Sequence, residues 1–199
     1  VVQKRRLSDA TMNRLRALAA RSSDPEVWEL VLIEHGAKRE VLVEFTERLV
    51  AHYKEGHTIQ WKPLLLTLFG EGELELVSRI GLAVPMRSLH VKERLHLVTA
   101  LVSRRDFAAL SSLGDALSEG VRGEQAHTLK ATRLVLLDPA SALKIARLAI
   151  KRWPNSPRLL LAAQWASGEL GAWQDHVHYA TRVIDTGVDH PAQHSALAG

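Results

Sequence analysis

The sequence predicts an all-α chain, an α-solenoid of about five helix–turn–helix repeats of 32–34 residues, and three observations carry that expectation. The first is a period. Trp28 and Trp61 stand 33 residues apart, and Pro157 and Pro191 stand 34 apart. Counted from Pro25, the openings recur near Thr58, Val91, Gly123, Pro157 and Pro191. Such self-similarity marks stacked helical hairpins, in which no unit buries its apolar face alone. The second is spacing: Trp28, Val31 and Leu32, then Leu42, Phe45 and Leu49, then Leu143, Ala146 and Ala149 return at helical intervals. The third is a repeated start signal. Asp24-Pro25, Asp138-Pro139 and Ser156-Pro157 each set a capping side chain before a proline, and His190-Pro191 does so more weakly.

Taken in order, Ser8 and Asp9 cap a first helix bearing Met12, Leu15, Leu18 and Ala19 on one face. Residues 1–22 form this basic N-terminal helix, expected to pack on the first repeat. Residues 23–190 form the repeats. Within each unit a break falls about halfway: His35-Gly36, Gly70-Glu71-Gly72, Arg104-Arg105-Asp106, Asp138-Pro139 and residues 168–171. Residues 134–137 have the composition of a short buried strand but lie inside a longer helical period, so helix is preferred. Residues 191–199 start a further, truncated helix. Because the sequence opens on Val1 and stops early in that segment, it reads as an excised domain of a larger protein.

Composition narrows the class. An apolar fraction of 46% supplies a core without disorder. The densest apolar run, 64–69, is interrupted by Thr67 and falls far short of a membrane span, and no signal-peptide core follows the basic start. A cytoplasmic protein is expected. With no cysteine, disulfides and thiolate metal sites are excluded. Arginine outnumbers lysine 18 to 8, which points weakly to a GC-rich bacterial genome.

Charge is blocked along the chain. Residues 1–22 carry Lys4, Arg5, Arg6, Arg14, Arg16 and Arg21 against Asp9; residues 24–47 run acidic; 79–105 and 122–158 run basic. Stacked repeats would turn these blocks into bands that attract acidic protein, anionic polymer or nucleic acid. Single-strand stacking is poorly supported, since two tyrosines and three phenylalanines leave the arginines without aromatic interleaving.

Signals for chemistry are weak. His176 and His178 are two apart and face different sides of a helix; His190 and His194 have ligand spacing, but His190 precedes a proline; His90 and His96 share no face. Ser141 and Lys144 have the spacing of a serine nucleophile and lysine base, but they sit at a helix start and lack companion motifs. Gly70-Glu71-Gly72 reads as a turn, because its carboxylate would repel a phosphate. No catalytic residue, metal ligand or cofactor is predicted.

Residues 123–188 resemble the tetratricopeptide repeat. Ala142, Ala149 and Pro154 match that pattern's small residues and closing proline; Leu160, Gly171 and Trp173 match in the next unit, and Trp28 and Trp61 fall on its tryptophan-preferring position. Departures are Leu32, Leu65, Lys130 and Gln164 at the first-helix crossing, and His176 where Ala142 stands one unit earlier. The resemblance implies a right-handed superhelix whose concave groove is lined by Glu29, Lys62, Lys92, His127, Arg158 and Trp165. Trp28 and Trp61 then anchor the core. A carboxylate clamp of the chaperone type is not implied, because Asn13 and Asn155 are the only asparagines and neither falls in the groove. The expected role is a non-catalytic protein–protein interaction module that takes an acidic peptide or helix. An accessory domain of an enzyme acting on an anionic polymer such as a surface polysaccharide is the alternative. Nucleic-acid binding through the basic bands comes third.

Overall fold

The computed structural model describes residues 9–21, 27, 39–57, 59 and 61–187. The expectations placed on Pro25, Trp28, the His35-Gly36 turn, Thr58 and residues 191–199 lie outside the described residues. Among the described residues all regular structure is helical and no strand occurs. The α-helices are α1 (Asp9–Arg21), α2 (Arg39–Lys54), α3 (Trp61–Gly70), α4 (Leu74–Ala83), α5 (Val91–Ser103), α6 (Phe107–Leu113), α7 (Gly123–Leu137), α8 (Pro139–Arg152), α9 (Pro157–Glu169) and α10 (Trp173–Asp185). Short 3-10 turns fill Met86–Ser88 and Gly114–Ser118. The chain divides into two compact units, Val1–Ala83 and Val84–Gly199.

In the first unit, Leu42, Thr46 and Leu49 recur at four and three residues and form the buried stripe of α2, which packs on α4. Leu64, Leu65 and Leu68 of α3 and Leu76, Val77 and Ile80 of α4 complete this core. Trp61 is 3% exposed, as an anchor should be, and Tyr53 meets its ring edge-on at 5.4 Å. The turn after α3 is the expected one at 70–72, with Gly72 at φ +77°.

The second unit follows the expected openings: α5, α7 and α9 begin at Val91, Gly123 and Pro157. Each packs against the helix that follows it, and α7 also packs on both α5 and α9. Arg147 carries the contact between α8 and α10, donating to Asp175 at 2.7 Å and to the Tyr179 hydroxyl at 3.3 Å. The start signals work as read. Asp138 accepts the Ser141 N–H at 3.1 Å, and Ser156 Oγ accepts the Leu159 N–H at 3.4 Å. Asp106 caps α6 through the Ala109 N–H at 3.0 Å.

One local ambiguity resolves as expected, and two expectations need correction. Residues 134–137 form the last turn of α7, helical as preferred; the run is apolar because α7 is packed by α5, α8 and α9 together. Lys130 is exposed, and the buried surface of α7 is formed by Thr128, Leu129, Ala131 and Thr132. One residue of register turns a side chain by about 100° around the helix, enough to move it from the contact to solvent. Gly168 lies inside α9 and not in the turn, which is made by Leu170 to Ala172 with Gly171 at φ +69°. Its role is steric: a Cβ at 168 would stand 3.0 Å from His176 Nδ1. The small residue that lets α9 and α10 approach sits on the first helix of this pair, while Ala142 supplies it on α8 in the preceding one.

Candidate functional site

The six residues expected to line a groove are distributed as follows. Glu29 and the Lys62 side chain lie outside the described residues. Lys92 is exposed on α5, His127 is exposed on α7, and Arg158 and Trp165 are half-buried on α9. Lys62 is on α3, in the first unit; the other four described positions fall on α5, α7 and α9, the three helices packed in succession in the second unit. Lys92 and Arg158 are each the second residue of their helix. Helix N-termini expose unpaired N–H groups, so this end already favours anions before the side-chain charges are added.

The N-terminal ends of α7 and α9 meet through one hydrogen bond. The Ser156 hydroxyl donates to Glu124 Oε1 at 2.6 Å, so the cap of α9 is itself held by the first turn of α7. Around this junction lie His127, Arg152, Trp153 and Arg158. His127 Nδ1 donates to the Gly123 carbonyl at 2.9 Å, which leaves Nε2 for a ligand or a proton. The imidazole stands 5.5 Å from the Trp153 ring, and the Arg152 guanidinium lies 5.0 Å over the same indole. Burial pulls the Arg158 guanidinium below its ordinary pKa, and the Glu124 carboxylate pushes the other way. The group stays charged. It has already lost part of its hydration, so a carboxylate that reaches it displaces less water than it would at an exposed arginine.

Chemically, this junction can pair with carboxylates and cover an apolar side chain with indole. Among the described residues it offers no nucleophile held by a base. Ser141 is engaged with the Asp138 cap, whose carboxyl is held below the ordinary aspartate range by bonds from the Ser141 side chain and backbone, and Lys144 is exposed one turn on. Sequence reasoning named His127 and Arg158, which the fold brings to this junction, and did not weigh Glu124, Arg152 and Trp153. The signal for Trp153 was its place beside Pro154, where only the proline was weighed. Nothing local in the sequence announces that Glu124 reaches Ser156, 32 residues away.

Other surface features lie outside that junction. Trp173, Val177 and Ile184 form an exposed apolar row on α10, with Trp173 at 66% exposure. Along α8, Leu143, Arg147, Leu148 and Lys151 line a shallow groove of about 410 Å³, together with Leu170. No helix among the described residues is long and apolar enough to cross a membrane. No protein-family model matches the chain, and neither a curated protein nor a solved structure matches it.

Proposed function

We propose that this chain is a non-catalytic protein-interaction module of tetratricopeptide-like helical hairpins that docks an acidic peptide or helix on the face formed by α5, α7 and α9. One observation carries the reading: Lys92 and Arg158 occupy the first turns of α5 and α9, with the imidazole of His127 on α7, which packs on both, and Trp165 two turns along α9 from Arg158. Helix N-termini, partly dehydrated guanidinium and indole together suit a ligand that brings carboxylates and one apolar anchor. The right-handed superhelix belongs to the same proposal.

The test is a panel of fluorescently labelled amphipathic peptides, acidic and charge-reversed, titrated into the protein with Arg158→Glu and Trp165→Ala alongside. The reading predicts that acidic helices bind, that the charge-reversed set does not, and that both substitutions weaken binding at least tenfold, about 1.4 kcal/mol. Equal binding by both peptide sets, or full affinity in both variants, would end it. Binding of nucleic acid that falls steeply with salt would favour the third reading instead.

A further inference from the structure

The C-terminus of α2 carries a cluster that the interaction reading does not use. The His57 N–H donates to the His52 carbonyl at 3.4 Å and the Gly56 N–H to the Tyr53 carbonyl at 3.0 Å, with Gly56 at φ +96°. This is a Schellman turn, and it returns the chain so that residue 57 lies against residue 52. The two imidazoles stack, with centroids 3.7 Å apart and planes 6° from parallel. Glu55 Oε2 lies 3.6 Å from His52 Nδ1. One donor atom from each of His52, Glu55 and His57 falls within 4.8 Å of the others.

We propose that His52, Glu55 and His57 bind a divalent transition cation of the zinc type at the end of α2. Two imidazoles and a carboxylate are the donors such ions take, whereas magnesium and calcium prefer oxygen alone. The turn supplies the frame: His52 is fixed in the last turn of the helix with its side chain 14% exposed, and Gly56 fixes where residue 57 re-enters. The outgoing carbonyls of α2 form the negative end of its dipole, which favours a cation there. Lys54 lies on the same turn but is exposed, and its long side chain can swing clear.

Binding requires a defined movement. A tetrahedral ion with bonds of about 2.05 Å needs donors about 3.3 Å apart. Parallel rings aim their nitrogens side by side, not toward one point. His57 and Glu55, both exposed, must therefore rotate inward while His52 stays, and the stack opens as the ion enters. Three protein ligands leave the fourth position to water.

The experiment is calorimetric titration of the whole chain with zinc chloride, repeated with cobalt(II) and read by visible absorption. The proposal predicts one equivalent bound in the micromolar range and the intense absorption of tetrahedral cobalt. His57→Ala and Glu55→Gln should each weaken binding by about tenfold or more, and His178→Ala, at an exposed position on α10, should leave it unchanged. His57→Ala keeps the backbone turn, because Gly56 makes it; if that variant does not fold, Glu55→Gln decides alone. No binding up to about 100 µM, or undiminished binding in the folded variants, would show that the stacked rings are a helix cap and nothing more. The peptide-binding face lies in the other unit, so this result and that one fail independently.

Discussion

Residues 39–83 and residues 84–187 hold their helices together with different chemistry. In the first stretch, α2 and α4 are stitched by charges in water: Arg39 to Glu73 at 3.4 Å and to Glu75 at 2.8 Å, and Arg79 to Glu47 at 2.7 Å. In the second, caps and close contacts join ion pairs such as Arg147 to Asp175 at 2.7 Å and Arg105 to Glu169 at 2.8 Å. Asp106, Asp138 and Ser156 cap the helix starts, and Ala142, Ala146, Ala162, Ala163 and Ala166 stand among buried leucines on α8 and α9 and let their neighbours approach. Even its buried charge is used differently. Arg94, 7% exposed, donates to the carbonyls of Leu89, Leu117 and Glu119, tying the loop before α5 to the 3-10 turn and the residue after it. The difference teaches where added volume matters most: salt reaches ion pairs in both stretches, while the alanine-bearing faces of the second are the ones closed to larger side chains.

The largest effect should come from the volume side. Leu101→Ala empties a fully buried position on α5 and should lower stability by about 3 kcal/mol in chemical denaturation. A loss near zero would mean that α5 does not need that core.

Next is overpacking. Ala163→Leu puts three more carbons into the closed face of α9 and should cost about 2 kcal/mol, read in the same titration. The Gly168–His176 contact sharpens this. Alanine normally favours a helix over glycine by about 1 kcal/mol, but at 168 its Cβ meets a ring held by the Gln164 carbonyl at 3.0 Å. Gly168→Ala should therefore gain little in the native protein and about 1 kcal/mol more in a His176→Ala background. Equal gains in both backgrounds would remove the steric role given to Gly168.

These particulars show what the sequence could and could not convey. The openings at Gly123 and Pro157 were legible because a glycine or a capped proline marks them chemically, and the one at Val91 only by counting the period. The turn at 168–171 was misplaced because glycine serves two purposes, a bend and a close approach, and only the partner helix says which. Lys130 failed for a related reason: periodicity locates a face only to within about one residue, and one residue is a quarter of a turn. His127 and Arg158 were named from their position in the period, and the fold brings them to one junction. The Glu124–Ser156 bond and the His52–His57 stack were invisible, since one spans a whole repeat and the other depends on a backbone turn that carries no apolar pattern.

Smaller effects follow from the caps. Ser156→Ala removes both the α9 cap and the partner of Glu124 and should cost about 1 kcal/mol. Asp138 adds a pH signature. Its folded pKa is depressed, so its contribution is complete above the ordinary aspartate value of about 3.9 and is lost as pH falls through the lower folded value. Asp138→Asn should flatten that part of the acid limb and leave stability above pH 5 nearly independent of pH at this site. The smallest changes belong to the ion pairs. Arg39→Ala and Arg79→Ala should each cost between about 0 and 1 kcal/mol at low salt, and the loss should shrink in about 1 M sodium chloride.

Mutual shelter among hairpins is most directly tested by amide hydrogen exchange on Leu101→Ala. If each helix pair leans on its neighbour, the cavity in α5 should speed exchange in α5, in α7, which packs on it, and more weakly in α9, while α2 keeps its rates. Faster exchange confined to α5 and α6, with α7 and α9 as protected as before, would mean that the pairs stand alone and would contradict the stacked arrangement.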